Sequence, residues 1–227
     1  TDQAGTTDDV TIVGTNNTTL AASTNDGDLT MNVTGKLTVT DADVAAGTVS
    51  LTATGKLDID GLEAAKTVTL SGAGVNDGVT DNSSNWTEGD NVAAVKTLNV
   101  SGNDAALELV LATGDFTSLS TINISGDQDV EVSVSGADID NLTSDQITVT
   151  DTSTGTSTLK ISTAGTIDVS KVATDVIEIA ADMTSDTIAT ANAQALTFSV
   201  DQSATVTVNN AAATAATNTL TVNLADD

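Results

Sequence analysis

GKLTVTDADVAAGTVSLTAT, residues 35–54, runs straight into GKLDIDGLEAAKTVTLSGAG, residues 55–74. Gly35 aligns with Gly55, Lys36 with Lys56, Leu37 with Leu57 and Val39 with Ile59. The second halves, Gly47-Thr-Val-Ser-Leu51 and Lys66-Thr-Val-Thr-Leu70, align after a slip of one residue. Each line holds two short runs with an apolar residue at every second position. That alternation is the mark of a strand with one buried face. A repeat of about 20 residues built from strands and Gly/Asp turns cannot bury its apolar side alone and must stack on its neighbours. The expected fold class is therefore all-β: a β-solenoid, or parallel β-helix, with about 20–30 residues per coil.

The rhythm extends outward from this stretch. Leu62-Glu-Ala-Ala-Lys-Thr-Val-Thr-Leu-Ser-Gly72 returns as Val92-Ala-Ala-Val-Lys-Thr-Leu-Asn-Val-Ser-Gly102 and again as Phe116-Thr-Ser-Leu-Ser-Thr-Ile-Asn-Ile-Ser-Gly126. Weaker copies lie at residues 141–150 and 172–180. A second strand follows each copy, at Leu107 to Leu111, Val130 to Val134, and Leu159 to Ile161 with Ile167 to Val169. In the run Val130, Val132, Val134 the polar alternates Glu131, Ser133 and Ser135 are expected to face solvent. The polar, turn-rich stretch 73–91, with the only Trp, reads as an inserted loop. Ala-rich pieces at 62–66, 175–183 and 189–196 suit a helical turn each. The domain expectation is a single elongated β-solenoid segment over 1–227. The absence of an initial Met suggests a fragment of a longer chain.

Composition narrows the alternatives. Proline, cysteine, histidine and tyrosine are absent, and aromatics make up 1% of the chain. Rows of immunoglobulin-like β-sandwiches are the competing architecture, but they draw on aromatic cores and need units of about 100 residues. The repeat recurs too soon for that. Thirty-two acids against 6 bases leave a formal charge of −26. Such a surface disfavours nucleic acid and anionic membranes. No run of about 18 apolar residues is present, so no membrane insertion by a helix is expected. The same charge opposes compaction until counter-ions neutralise it.

The acids come in Asp-x-Asp pairs beside turns: Asp26 with Asp28, Asp41 with Asp43, Asp58 with Asp60, Asp127 with Asp129, and Asp138 with Asp140. Residues i and i+2 of an extended chain face the same side, so each pair offers two carboxylates to one cation. With turn carbonyls completing the shell, the donor set suits Ca2+. The bland reading of each pair is a solvated turn in which Asp bonds its own backbone. Neither an EF-hand loop nor a Gly-Gly-x-Gly-x-Asp nonapeptide occurs. Without His or Cys the common nucleophilic triads cannot form. Lys56 beside Asp58 and Asp60 is the nearest approach to a polysaccharide-cleaving cluster, and it reads as a solvated strand-end Lys. The chain is not expected to be an enzyme. Thr-x-Thr pairs at 38/40, 67/69, 148/150 and 205/207 resemble the hydroxyl arrays of ice-binding surfaces, but their spacing is irregular and Thr is a good solvent-facing strand residue.

The phrases LEAAKTVTLSG, VAAVKTLNVSGN and FTSLSTINISG, in a chain without Cys or Pro and rich in Thr, Ala, Asp and Gly, resemble bacterial surface-layer (S-layer) proteins of the type I-secreted, Ca2+-dependent class. The resemblance implies a Ca2+-dependent β-solenoid that tiles into a two-dimensional lattice on the cell surface. Its partner is then itself, and surface polysaccharide is contacted through a segment outside this chain. The missing nonapeptide departs from that class and leaves the positions of any Ca2+ sites open. The alternative is the stalk or repeat region of a large secreted adhesin.

Overall fold

The computed structural model describes residues 9–21, 23–44, 47–63, 66–75, 82–88, 94–111, 116, 118–134, 147–165, 167–183, 187–190, 195–200, 202, 206–210 and 221–223. All registered strand pairs are parallel, and the strands stack as a β-solenoid of about seven turns. Among the described residues there is no α-helix. The expected fold class therefore stands.

Each early coil contributes three strands. The first is Val10–Gly14, Thr18–Leu20 and Ser23–Asn25 (β1–β3), and the second is Leu29–Val33, Leu37–Val39 and Ala42–Val44 (β4–β6). The third is Val49–Ala53, Leu57–Asp60 and Leu62–Glu63 (β7–β9). The first wall continues through Thr67–Gly74 (β10), the front of Thr97–Leu111 (β12), Thr121–Ser125 (β13) and Thr148–Asp151 (β15). The second wall continues through Ser84–Glu88 (β11), the back of β12, Val130–Val134 (β14), Ser157–Ile161 (β16), Val176–Ile179 (β18), Ala195–Phe198 (β20) and Thr221–Asn223 (β22). A third strand per coil returns late as Ile167–Val169 (β17), Thr187–Thr190 (β19) and Thr207–Asn210 (β21).

Register turns the sequence alternation into columns. On the first wall Val10, Leu29, Val49, Val68, Leu98, Ile122 and Val149 stack in one inward column, each on its equivalent one coil away. On the second wall Leu109, Val132, Leu159, Ile177 and Leu196 do the same. Aliphatic side chains of similar size fill such columns without gaps, which close packing requires. The outward column of the first wall is Thr11, Thr30, Ser50, Thr69, Asn99, Asn123 and Thr150. Asn99 Nδ2 donates to Thr69 Oγ1 (3.0 Å), Asn123 Nδ2 to Asn99 Oδ1 (2.8 Å) and Thr150 Oγ1 to Asn123 Oδ1 (2.5 Å). This ladder holds the exterior of four successive coils together.

The structure departs from the sequence pattern in three places. The stretch 73–91, read as a loop, contains β11, which pairs parallel with both β8 and β12. Its Trp86 is fully buried and meets Phe116 edge-on at 5.1 Å between ring centres. The reason is register: Trp86 stacks between Ile59 and Leu111, both buried, so its ring faces the core. The Ala-rich helical turns are overturned where they are described: 176–179, 187–190 and 195–198 are strands, because partner edges on both sides override weak helix propensity. Ser133, expected at the surface, is buried.

Two corners are so tight that a Cβ would strike backbone. One on Gly47 would meet the Gly27 carbonyl oxygen, and one on Gly155 that of Gln128. Gly47→Ala is expected to force these coils apart and lower stability by about 1–3 kcal/mol, read from urea unfolding. Trp86→Ala, leaving a cavity in the core beside Phe116, is expected to cost about 3–5 kcal/mol in the same assay.

Candidate cation sites and the charged wall

The fold places the described Asp-x-Asp residues at corners and on outward strand faces. Asp26 and Asp28 flank the turn into β4 and are exposed. Asp41 precedes β6 and Asp43 sits on its outward face, between the buried Ala42 and Val44. Asp58 and Asp60 project outward from β8, on the same side as strand geometry demands. Asp127 and Asp129 flank the turn into β14. Asp138 and Asp140 lie outside the described residues.

Several of these carboxylates serve the backbone. Asp28 Oδ1 accepts the N–H of Thr48 at 2.7 Å, the corner residue one coil on, and Asp129 Oδ1 accepts that of Thr156 at 2.7 Å. The Asp28 N–H in turn donates to Asp9 Oδ1 at 3.1 Å. Asn17 does the same for Lys36 at 2.8 Å. Further along, the Ser157 N–H donates to Asp175 Oδ2 (3.1 Å) and the Met183 N–H to Gln202 Oε1 (2.8 Å). A corner leaves the sheet ladder, so its amide needs another acceptor. A short side-chain oxygen from the adjoining coil supplies one. The bond from Thr48 holds the Asp28 carboxyl below the ordinary Asp range. At Asp151 burial pushes the carboxyl up, but hydrogen bonds from Ser153 and Ser157 bring it below the usual value on balance.

Asp58 is engaged otherwise. Its Oδ2 pairs with Lys36 Nζ at 2.6 Å. With the Asn85 amide assigned so that both its ends are satisfied, Asn85 Nδ2 donates to Asp58 Oδ1 (2.8 Å) and Asn85 Oδ1 accepts from Lys56 Nζ (3.3 Å). Exposed ion pairs of this kind contribute little on their own.

A charged row on the second wall has no counterpart in the sequence reading. Glu108 stacks in register on Glu131, and Lys160 on Glu178. Lys160 Nζ lies 3.2 Å from Glu131 Oε1 and 3.4 Å from Glu178 Oε1. The Glu131 contact is one of charge rather than an aligned hydrogen bond. Desolvation pushes the Glu131 carboxyl up, Lys160 opposes this, and Glu178 and Glu108 add to it. Burial pulls the Lys160 ammonium down, but Glu131 and Glu178 outweigh it and raise it overall. Glu108, Asp129 and Glu131, with Thr156 and Thr158, line an open groove of about 340 Å³. The sequence hides this row because it exists only once coil-to-coil register is known: residues 108 and 131 are separated by a turn of variable length.

The donors in these places are all oxygen, which matches Ca2+ in type. Among the described residues no three carboxylates converge on one point. An ion at a corner would take those carboxylates of an Asp-x-Asp pair that hold no amide of the next coil, and fill its shell from turn carbonyls and water. The class defined by this geometry is a parallel β-solenoid with acid-capped corners. Comparison with family models, curated proteins and solved structures finds no match to the chain.

Two outcomes follow. Asp28→Ala, which removes the acceptor for the Thr48 amide, is expected to lower the melting temperature by about 2–4 °C at pH 7, while Asp28→Asn keeps most of it. Because the folded-state Asp28 carboxyl titrates below its unfolded value, its contribution is present above the ordinary Asp range. It fades as pH falls through the folded value, so the Ala deficit should shrink in acid. Lys160→Met leaves Glu131 crowded by Glu108 and Glu178, and should cost about 1–3 kcal/mol near pH 7. Glu131 binds its proton more tightly when folded, so acidification to about pH 5 should recover part of that loss. Urea midpoints at the two pH values check this.

Proposed function

We propose that this chain is a structural tile of a Ca2+-dependent two-dimensional lattice on a bacterial cell surface, an S-layer-like coat outside the cell. The observation that carries the reading is the repeating parallel stack itself, with 32 acids set on a framework of only 6 bases. Stacked coils give a rigid block with flat, repetitive walls, which suits tiling better than it suits a cleft for turnover. The charge keeps blocks apart in the absence of counter-ions.

Ca2+ would relieve that repulsion by binding carboxylate oxygens, and this is the one chemical contribution assigned to it. Asp26, Asp41, Asp43 and Asp60 are the preferred holders, because Asp28, Asp58 and Asp129 already carry the protein bonds described above and Asp127 Oδ1 accepts from Gln128 Nε2 at 3.0 Å. Asp138 and Asp140 belong to the same proposal by sequence alone. The role is structural and not catalytic. The partner is another copy of the chain, and attachment to polysaccharide would need a segment beyond this one. The absence of cysteine is compatible with secretion and does not require it.

Millimolar Ca2+ is expected to raise the melting temperature by about 5–10 °C over a chelator-treated sample, the shift for a ligand near 100 times its dissociation constant. Negative-stain electron microscopy of the same samples should show ordered sheets with Ca2+. Isolated rods would favour the adhesin-stalk alternative, and an unchanged melting temperature would remove Ca2+ from the account.

A further inference from the structure

Charge is unevenly distributed between the walls. Through β1, β4, β7, β10, β12, β13 and β15, the two central outward columns of the first wall hold Thr, Ser and Asn, plus Val13, and no acid or base. The second wall carries Asp58, Asp60, Glu108, Glu131, Lys160 and Glu178. In a chain with a net charge of −26, this neutral wall is the surface that a second copy can approach with least repulsion. Val13, the most exposed large apolar residue among those described at 72%, lies on it.

The edge of this wall where its strands begin has a polarity. Exposed Asp9 and Asp28 stand at the first two coils. Exposed Lys66 and Lys96 stand at the fourth and fifth, one residue further out along the same edge, with the Lys96 N–H donating to the Lys66 carbonyl at 2.8 Å. Thr48 lies between them on the third coil. Consider two copies laid wall to wall about a two-fold axis that runs along the strands through the third coil. Coil order is then reversed while the edge is kept. Asp9 meets the Lys96 edge position of the other copy, Asp28 meets that of Lys66, and Ser50 meets its own equivalent. The contact is self-complementary, as a two-fold interface must be.

We infer that the neutral first wall is a self-association face, pairing two copies through its Ser/Thr/Asn columns with Asp9 and Asp28 set against Lys96 and Lys66. The inference deepens the lattice reading and rests on it for the identity of the occupant. Five coils about 4.8 Å apart and strands of about 17 Å give roughly 400 Å² per copy. That is the size of a weak contact, one that needs many repeats or high concentration to persist.

The chain has no cysteine, so a single introduced thiol reports proximity directly. The full chain carrying Ser50→Cys, at about 100 µM, is treated with a bis-maleimide spanning about 10 Å, the spacing of facing sheets. Covalent dimers are expected. Thr38→Cys, on the outward face of the second wall, is expected to give at least tenfold less. Adding Lys66→Glu and Lys96→Glu to Ser50→Cys should lower the yield about tenfold. Equal linking of the Ser50→Cys and Thr38→Cys chains, no dimer from Ser50→Cys, or a yield indifferent to the lysine changes would overturn the inference. Sheets in the microscope without linking of the Ser50→Cys chain would reject this wall while sparing the lattice. Linked dimers without sheets would support the wall and reject the lattice.

Discussion

Parallel, in-register stacking governs this molecule: every wall residue sits on its own equivalent about 4.8 Å away in the next coil. Like therefore falls on like. For Val, Leu and Ile this is favourable, because each column closes into a continuous apolar filling. For carboxylates it is costly, since like charges directly opposite repel. The chain limits that cost in its register. Where acids stack they do so in twos, as Glu108 on Glu131. Thr158 follows Glu131, and Lys160 is set beside it against Glu178. Among the described strand pairings no column places three acids in succession.

The corners obey the same constraint with different chemistry. A corner amide that has left the ladder must find an acceptor, and the nearest side chain is the equivalent residue of the adjoining coil. Asp and Asn are short enough to offer an oxygen there without bridging past the corner, as Asp28, Asn17 and Asp129 do. Much of the acidity that looks like a metal signature in the sequence is thus also backbone chemistry. In two of the described pairs, 26/28 and 127/129, the second member holds the corner amide of the next coil.

The architecture is legible because the GKL repeat at 35–74 stacks with almost no insertion, so sequence alignment and spatial register coincide. Legibility fails where coil length changes. The polar stretch around Trp86 resembles a loop because its turn residues outnumber its strand residues, yet Trp86 packs into the core in register with Ile59 and Leu111. Sequence suggests helical turns at 175–183 and 189–196 because Ala content reports local preference, while the sheet edges on both sides decide the outcome. Strand alternation places the Asp58 and Asp60 carboxylates correctly on a common outward face. It cannot show which oxygens are already bonded across coils, nor that Glu131 and Lys160 are neighbours.

Inter-coil bonding runs through walls and corners alike. Amide hydrogen exchange resolved to single residues tests this most directly, through the exposed corners at Thr48 and Thr156. Their amides should exchange slowly, on a scale with those of the adjoining strands at Val49 and Ser157, because Asp28 and Asp129 hold them. Exchange at the rate of unstructured amides at both corners, while Val49 and Ser157 stay protected, would contradict it.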